Sequence, residues 1–387
     1  MLEERENGLY EIDDNGNETC LEDYNDGYYH VFSDLYQYPD SNLIVTFSRR
    51  GPGKTTGALL GAMLRGLRIM YIKRTIADVK MITKGGGAVD LSPWETINRL
   101  KGTNYRAIPV KGVDGFAEVV QCDSDNNPVA NALPIGYICA LSAAGKIKGF
   151  DLSDKVDIML VDEFVPNKGV IAKQSEGDQT LDILATLMRD RHMRGLKDIK
   201  LWLFSNCDYI ACPITRTLCL LDEVYDMSSL GKSLYYNEDR RILIHHIKSD
   251  EYVETVNYNM FYFMNNTDWY KRNIIGDFDE DFSNIVPSVS FKNYKPVAKI
   301  SYNGKVIHIL NKSSDSSYYI TYNYNNRVST EIPHYDLSYE NSVRLFYHSQ
   351  IYASILLSSM VDKVRYSSYS IYDLFRRYTA IFYNQIY

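Results

Sequence analysis

The sequence predicts an α/β protein: a parallel sheet with helices packed on it, then a smaller α/β unit. Three observations carry that prediction. From residue 41 to about 235, short apolar β-prone runs alternate with amphipathic helical patterns, as βαβ units require. One such run leads through a glycine-rich loop directly into an Ala- and Leu-rich helical stretch, NLIVTFSRRGPGKTTGALLGAMLRGL at 42–67. Residues 286–387 alternate Tyr, Val, Ile and Ser between turn signals such as Asn303-Gly304 and Asn325-Asn326, and helical patterns follow at about 341–363 and 369–383.

Composition sets the bounds. The chain has 387 residues, of which 45% are hydrophobic, enough for two or three domains with real cores. No run of about 18 apolar, uncharged residues is present, so no membrane partner is expected. The start, MLEERENGLY, has neither the basic lead nor the apolar core of a secretory signal. The six cysteines form no C-x-x-C pair and share no ligand spacing with the seven histidines, which reads as reduced thiols rather than a disulfide frame or zinc site. Net charge is −7 but unevenly spread. Residues 1–40 hold twelve acids against Arg5 alone, whereas residues 286–387 hold eleven cations against six acids. Local charge governs encounter with phosphate, so the C-terminal stretch is either a weak nucleic-acid surface or an ordinary solvated one. Four segments result: an acidic, Tyr-rich arm at 1–40, the α/β domain at 41–235, a polar linker at 236–285 and the C-terminal domain at 286–387.

The first chemistry is in the glycine loop. Strand, Gly51-Pro52-Gly53-Lys54-Thr55-Thr56 and helix in succession are what a P-loop needs. Successive backbone N–H groups and the helix N-terminus form a nest for phosphates. Lys54 reaches the β- and γ-phosphates of a bound ATP, and the Thr55 hydroxyl ligates its Mg²⁺. The usual motif opens with glycine where this chain has Ser48. Arg49 and Arg50 put two unusual cations in the loop.

The second signal is Ile158-Met159-Leu160-Val161-Asp162-Glu163, four apolar residues ending in two acids, 108 residues after Lys54. Ligands of open α/β sheets bind outside the carboxyl ends of strands. Asp162 is thus the candidate metal-holding acid and Glu163 the candidate base for the attacking water. Two further strands are expected, LRIMYIK at 67–73 and IKLWLF at 199–204, the latter ending at Ser205-Asn206. Asn206 reads either as a group that senses the γ-phosphate or orients the attacking water, or as a strand-ending turn. Leu181, Leu184, Leu187 and Met188 give a helix from about Gln179 to Arg194 its apolar face, with Arg189, Arg191 and Arg194 in the last turns and Gly195 at its end. Those arginines are either helix-end charges favoured by the dipole or a source of an arginine finger for a neighbouring subunit.

The segment SRRGPGKT, with an arginine four residues before the lysine, resembles the P-loop of viral terminase large subunits. A fuller set, TFSRRGPGKT, IMYIKR, GKIKGF, IMLVDEF, ILATLMRDR, LWLFSN, AKISYNG and IYDLFRR, is similar in order and spacing to the bacteriophage phi29-type DNA-packaging ATPases, over residues 41–387. The resemblance implies an ASCE-type, RecA/terminase-like P-loop fold followed by a ribonuclease H-like domain without nuclease residues. It carries the family's P-loop lysine onto Lys54, its paired acids onto Asp162 and Glu163, and its trans-acting arginine onto Arg189. A second trans-acting cation falls on Lys146 or Lys148. It further implies a pentameric ring of copies at the portal of a procapsid, transiently, in the host cytoplasm, with double-stranded DNA in the channel and a packaging RNA as scaffold.

The rival reading is a terminase that also cuts DNA. Its nuclease strand should carry a metal-binding Asp, yet Ala298-Lys299-Ile300-Ser301-Tyr302 has no acid. Asp315, Asp336, Asp362 and Asp373 remain, and a two-metal site needs carboxylates clustered at strand ends. The expectation is a motor without nuclease activity.

Overall fold

Leu43–Ser48 is a run of apolar and β-branched residues in which every side chain is buried, and it forms the middle of a large sheet. The computed structural model describes all residues except 84–91, 168, 169, 171, 249–251, 253–260, 262, 279, 303, 325–330 and 387, with the backbone alone from 378 to 386. Asn303 and Asn325-Asn326, read as turn signals, lie outside the described residues. The chain divides into two compact units, Met1–Asp279 and Glu280–Tyr387.

The first unit runs β1 (Leu2–Arg5), β2 (Gly8–Ile12), β3 (Glu18–Asp23), α1 (Val31–Gln37), β4 (Leu43–Ser48), α2 (Lys54–Leu64), β5 (Ile69–Lys73), α3 (Ile76–Thr83), α4 (Trp94–Lys101), β6 (Tyr105–Pro109), β7 (Phe116–Gln121), β8 (Gly136–Ala140), α5 (Ala144–Ile147), β9 (Ile158–Asp162), α6 (Glu176–Met188), β10 (Lys200–Asn206), α7 (Pro213–Thr217), α8 (Leu221–Ser229), β11 (Leu234–Asn237), β12 (Ile242–Ile247) and the short α9 (Asp268–Tyr270). Nine strands form one sheet in the order β11-β12-β4-β10-β9-β5-β8-β7-β6. The six from β12 to β8 are parallel, while β11 joins one edge and β7 the other by antiparallel pairing, with β6 antiparallel to β7. The sheet is therefore mixed, where the sequence suggested a parallel one. The parallel strands read as continuous apolar runs because both faces are covered; the core includes Ile44, Ala58, Leu59, Ile69, Ile138, Leu160, Trp202, Phe204 and Leu243.

The acidic segment 1–40 folds with this unit. Strands β1, β2 and β3 form a small antiparallel sheet, and Tyr29, Val31 and Phe32 join the core beneath β4 and α2. Its acids find partners there: Arg65 at the end of α2 pairs with Glu4 at 2.7 Å and with buried Glu22 at 2.6 Å, and its guanidinium lies over the Phe32 ring. Burial of a carboxylate is tolerable only with such pairing. Likewise, the stretch read as a polar linker supplies β12, ILIHHI, every residue of it buried, directly beside β4. Its two histidines gave it a polar look; buried His245 bonds Asp34 of α1 at 2.9 Å.

The second unit contains β13 (Lys295–Tyr302), β14 (Lys305–Lys312), β15 (Ser317–Thr321), β16 (His334–Asp336), α10 (Glu340–Tyr347), α11 (Gln350–Met360), β17 (Val364–Tyr366) and α12 (Tyr369–Ile386). The antiparallel meander β13-β14-β15 carries β16 parallel to β13 and β17 parallel to β15. Its core is Ala298, Ile300, Ile307 and Ile309 from the meander against Phe346, Tyr352, Ile371 and Phe375 of the helices. The single helix expected over 341–363 is two, because Ser349 caps a new start by accepting the Tyr352 N–H at 3.1 Å. Asp315 pairs with Lys312, Asp362 with Arg365 and Asp373 with Arg377, and Asp336 accepts the Ser338 N–H at 3.0 Å.

Candidate active site

The glycine loop is built as its sequence demands. Strand β4 ends at Ser48 and α2 begins at Lys54, so five residues reverse the chain. Gly51 and Gly53 sit at φ 92° and 93°, a left-handed conformation that costs glycine little. The start of α2 has no side-chain cap, which leaves its first amides for an anion. Residues 28–29 brace the loop from below: the Tyr29 N–H donates to the Pro52 carbonyl at 2.8 Å.

Strand β10 lies between β4 and β9 and aligns their carboxyl ends. Asn206 pairs in register with Ser48, and Phe204 with Asp162. The result is an open cleft of about 360 Å³ whose walls include Gly51, Pro52, Gly53, Lys54, Thr55 and Thr56, with Arg50, Asp162, Glu163 and Asn206. Residues up to 156 positions apart in the sequence thus meet around one space.

Asp162 is held from several sides. The Thr55 hydroxyl donates to its Oδ2 at 3.2 Å and the Tyr71 hydroxyl to the same atom at 2.6 Å. The Glu163 N–H donates to Oδ1 at 3.1 Å. Burial, then the charge of Asp162, pushes the Tyr71 phenol well above its ordinary value, so it stays protonated and donates. Glu163 occupies φ 54°, a costly conformation for a residue with a side chain and one found where a site demands it. Its carboxylate is exposed, with the Lys73 ammonium 3.5 Å away; Lys73 is also 3.7 Å from Asp162. Arg74 donates to the carbonyls of Glu163 and Phe164 at 3.3 and 3.1 Å and pairs with Glu176 at 3.3 Å, which fixes the turn after β9.

Lys54 is buried, its ammonium on the Ser48 hydroxyl and 3.4 Å from the Arg49 carbonyl. Burial pulls it down to about 8. Ser48, in place of the motif's first glycine, therefore anchors the lysine. Its Oγ accepts from Lys54 and donates to the Arg49 carbonyl at 2.6 Å. It lies beneath the cleft rather than in its wall. Arg49, expected in the cleft, does not line it; it is fully buried and donates to the Tyr252 carbonyl at 3.0 Å. Arg50 stays at the rim, its Nε donating to Asn273 at 2.8 Å.

Arg189 and Lys146 are not brought to this cleft. Helix α6 stops at Met188, short of the expected Arg194: the backbone leaves the helix at Arg189, with ψ 129°, and turns left-handed at Asp190, with φ 58°. Exposed Arg189 donates to the Lys148 carbonyl at 2.6 Å. Lys146 is exposed on α5, and Lys148 pairs with Asp182 of α6 at 3.0 Å. Arg191 is a structural cation, buried and donating to the carbonyls of Ser153, Val156 and Lys197; Arg194 pairs with Asp151.

The Thr55 hydroxyl and the Asp162 carboxylate are hard oxygen donors on one wall, which fits Mg²⁺ arriving with a nucleotide's phosphates. Among the described residues no three His, Cys, Asp or Glu side chains gather as a metal cage, and Mg²⁺ needs none. Sequence reading missed Tyr71, Lys73, Arg74 and the Tyr29 brace. The signal for the first three, polar groups at the end of IMYIKR, has meaning only once β5 is known to lie beside β9.

No family model matches the sequence, and a search of curated proteins gave no match. Solved structures do match. The Phi-28 gp11 DNA packaging motor superposes with a TM-score of 0.56 at 14% identity, covering 92% of this chain and 97% of its own. The bacteriophage Phi-29 viral genome packaging motor assembly superposes with a TM-score of 0.57 at 18% identity, covering 90% of this chain and 99% of its own. At such identities what is shared is architecture, and it is shared along nearly the whole length of both: this chain has the fold of the phi29-type DNA-packaging motors.

Proposed function

We propose that this chain is an ATP-driven motor that moves double-stranded DNA into a viral procapsid. The observation that carries the reading is the convergence of the glycine loop, Asp162, Glu163 and Asn206 on one cleft at the strand ends; the fold shared with packaging motors points the same way. In this reading the loop amides and Lys54 cradle the triphosphate. Thr55 and Asp162 hold Mg²⁺, which spreads the negative charge of the phosphates. Asn206 and Glu163 orient the attacking water, and Glu163 takes its proton. Arg189, with Lys146 or Lys148, serves the site of the next copy in a ring seated at the portal. The unit at 280–387 contacts nucleic acid through backbone charge.

The deciding experiment compares two variants. Lys54→Ala is expected to lose nucleotide retention. Glu163→Gln is expected to bind Mg-ATP as the parent does but to turn it over roughly 10²–10⁴-fold more slowly, the usual worth of a general base. Parent-like turnover by Glu163→Gln would remove the residue from the chemistry.

A further inference from the structure

Of the groups that touch Asp162, one belongs neither to the phosphate loop nor to the exposed rim. Tyr71 sits in β5, paired in parallel on both sides, with Leu160 of β9 and Ile138 of β8 as its register neighbours. It is 2% exposed. The Trp94 ring, also 2% exposed, packs edge-on to it with centroids 5.7 Å apart. Its hydroxyl is aimed at Asp162 Oδ2, 2.6 Å away.

We propose that Tyr71 is a positioning residue for Asp162, fixing through its hydroxyl the carboxylate orientation from which that acid holds the nucleotide's metal ion. A carboxylate offers about four lone-pair directions. Tyr71 and Thr55 take Oδ2, and the Glu163 N–H takes one direction on Oδ1. A lone pair on Oδ1 is left for a metal or its water. The three contacts differ in rigidity. Thr55, on the first turn of α2, is half-buried at the cleft wall, and the Glu163 amide is in a strained turn. Tyr71 alone is locked by core packing, the arrangement that holds a metal ligand to its geometry. Lys73, at 3.7 Å from the same oxygen and partly exposed, adds charge but no comparable direction.

The inference rests on the reading of Asp162 as a metal-holding acid, and the test separates the two. Tyr71→Phe removes one oxygen and keeps the ring. Two quantities are measured on the full chain. The first is affinity for a fluorescent ATP analogue in EDTA. The second is Mn²⁺ binding, by electron paramagnetic resonance, with a non-hydrolysable ATP analogue present. Tyr71→Phe is expected to keep its affinity in EDTA within about twofold and to bind Mn²⁺ about 10-fold more weakly, the low end for losing an outer-shell partner. In an Asp162→Asn background, the same change is expected to cost no further Mn²⁺ affinity, since coupled groups do not add. Trp94→Phe, which loosens the packing and leaves the hydroxyl, is expected to weaken Mn²⁺ binding by less than Tyr71→Phe does. Parent-like Mn²⁺ binding by Tyr71→Phe would overturn the proposal and leave the nucleotide reading intact. So would an equal loss in EDTA and in Mn²⁺, or an equal loss in Trp94→Phe. A parent that binds no analogue at all would overturn both.

Discussion

Lys54 illustrates how a residue can be legible by motif and still hold information that only its surroundings reveal. Burial against a hydroxyl and a carbonyl lowers it to about 8, whereas an unfolded lysine titrates near 10.4. The sign follows from proton counting. Below pH 8 the folded chain carries the full cost of a buried ammonium. Between pH 8 and about 10.4 the unfolded chain holds a proton that the folded one has shed, so this residue's contribution to stability rises with pH there. Nucleotide affinity runs the other way, because the triphosphate wants the charge. Affinity is expected to be flat below pH 7.5, to fall between pH 8 and 9.5, and to be coupled to proton uptake at pH 9. Calorimetry in two buffers of different ionisation enthalpy reads that uptake directly; none at pH 9 would mean that Lys54 is already charged in the empty site. Gly51, Gly53, Lys54 and Thr55 could be read from sequence because a tight loop before a helix is a local event. Arg49 could not, since adjacent side chains in the loop part company: Arg50 goes to the rim and Arg49 to the Tyr252 carbonyl. Nor could Tyr71, whose role depends on which strand lies next to β5.

Helix α2 presses closer to α1 than side chains would allow. A Cβ on Gly57 would stand 2.7 Å from the Tyr29 carbonyl oxygen, and one on Gly61 would stand 2.6 Å from the Phe32 ring. By helix propensity alone Gly57→Ala stabilises by up to about 1 kcal/mol. The backbone overlap is worth more, and a net loss of about 1–3 kcal/mol is expected. Because Tyr29 also braces Pro52, the displacement reaches the phosphate loop, and nucleotide affinity is expected to fall with it. Gly145→Ala on α5 meets nothing within 4 Å and is the matched control, near neutral in both melting temperature and affinity. A Gly57→Ala chain as stable as the parent would mean that the backbone at Tyr29 yields freely. Elements with a local signature were readable: β4, β9 and β10 as apolar runs, and the β13-β14 hairpin by alternation. Elements defined by distant partners were not. Strand β12 looked polar because His245 and His246 find their partners far away in sequence, Asp34 of α1 and the Gly276 carbonyl, and α6 was overextended because nothing local announces the left-handed Asp190.

At the scale of the whole molecule, the cations of α5 and of the turn after α6 stand apart from the cleft they were expected to serve. Under the proposed function, Arg189 would serve the cleft of a second copy, and one subunit's hydrolysis would wait on another's. Arg189→Ala and Glu163→Gln are each expected to be nearly inactive. Mixed, they form some interfaces that pair an intact Glu163 with an intact Arg189, and ATPase activity should partly return, since an arginine finger is worth roughly 10³–10⁵ in rate. No recovery in mixtures shown to co-assemble would reduce Arg189 to a helix-end charge. The sheet order has a consequence of a different kind, for how the chain comes off the ribosome. Strand β4, which launches the phosphate loop, is paired only with β10 and β12, whose residues begin at Lys200 and Ile242. While some 150 intervening residues are being made, both edges of that strand lack their partners, and an unpaired apolar edge is a template for pairing with another chain. Pairings so distant in sequence also close slowly. The span of synthesis between β4 and β12, rather than the finished fold, is therefore when this strand is most open to pairing with another chain.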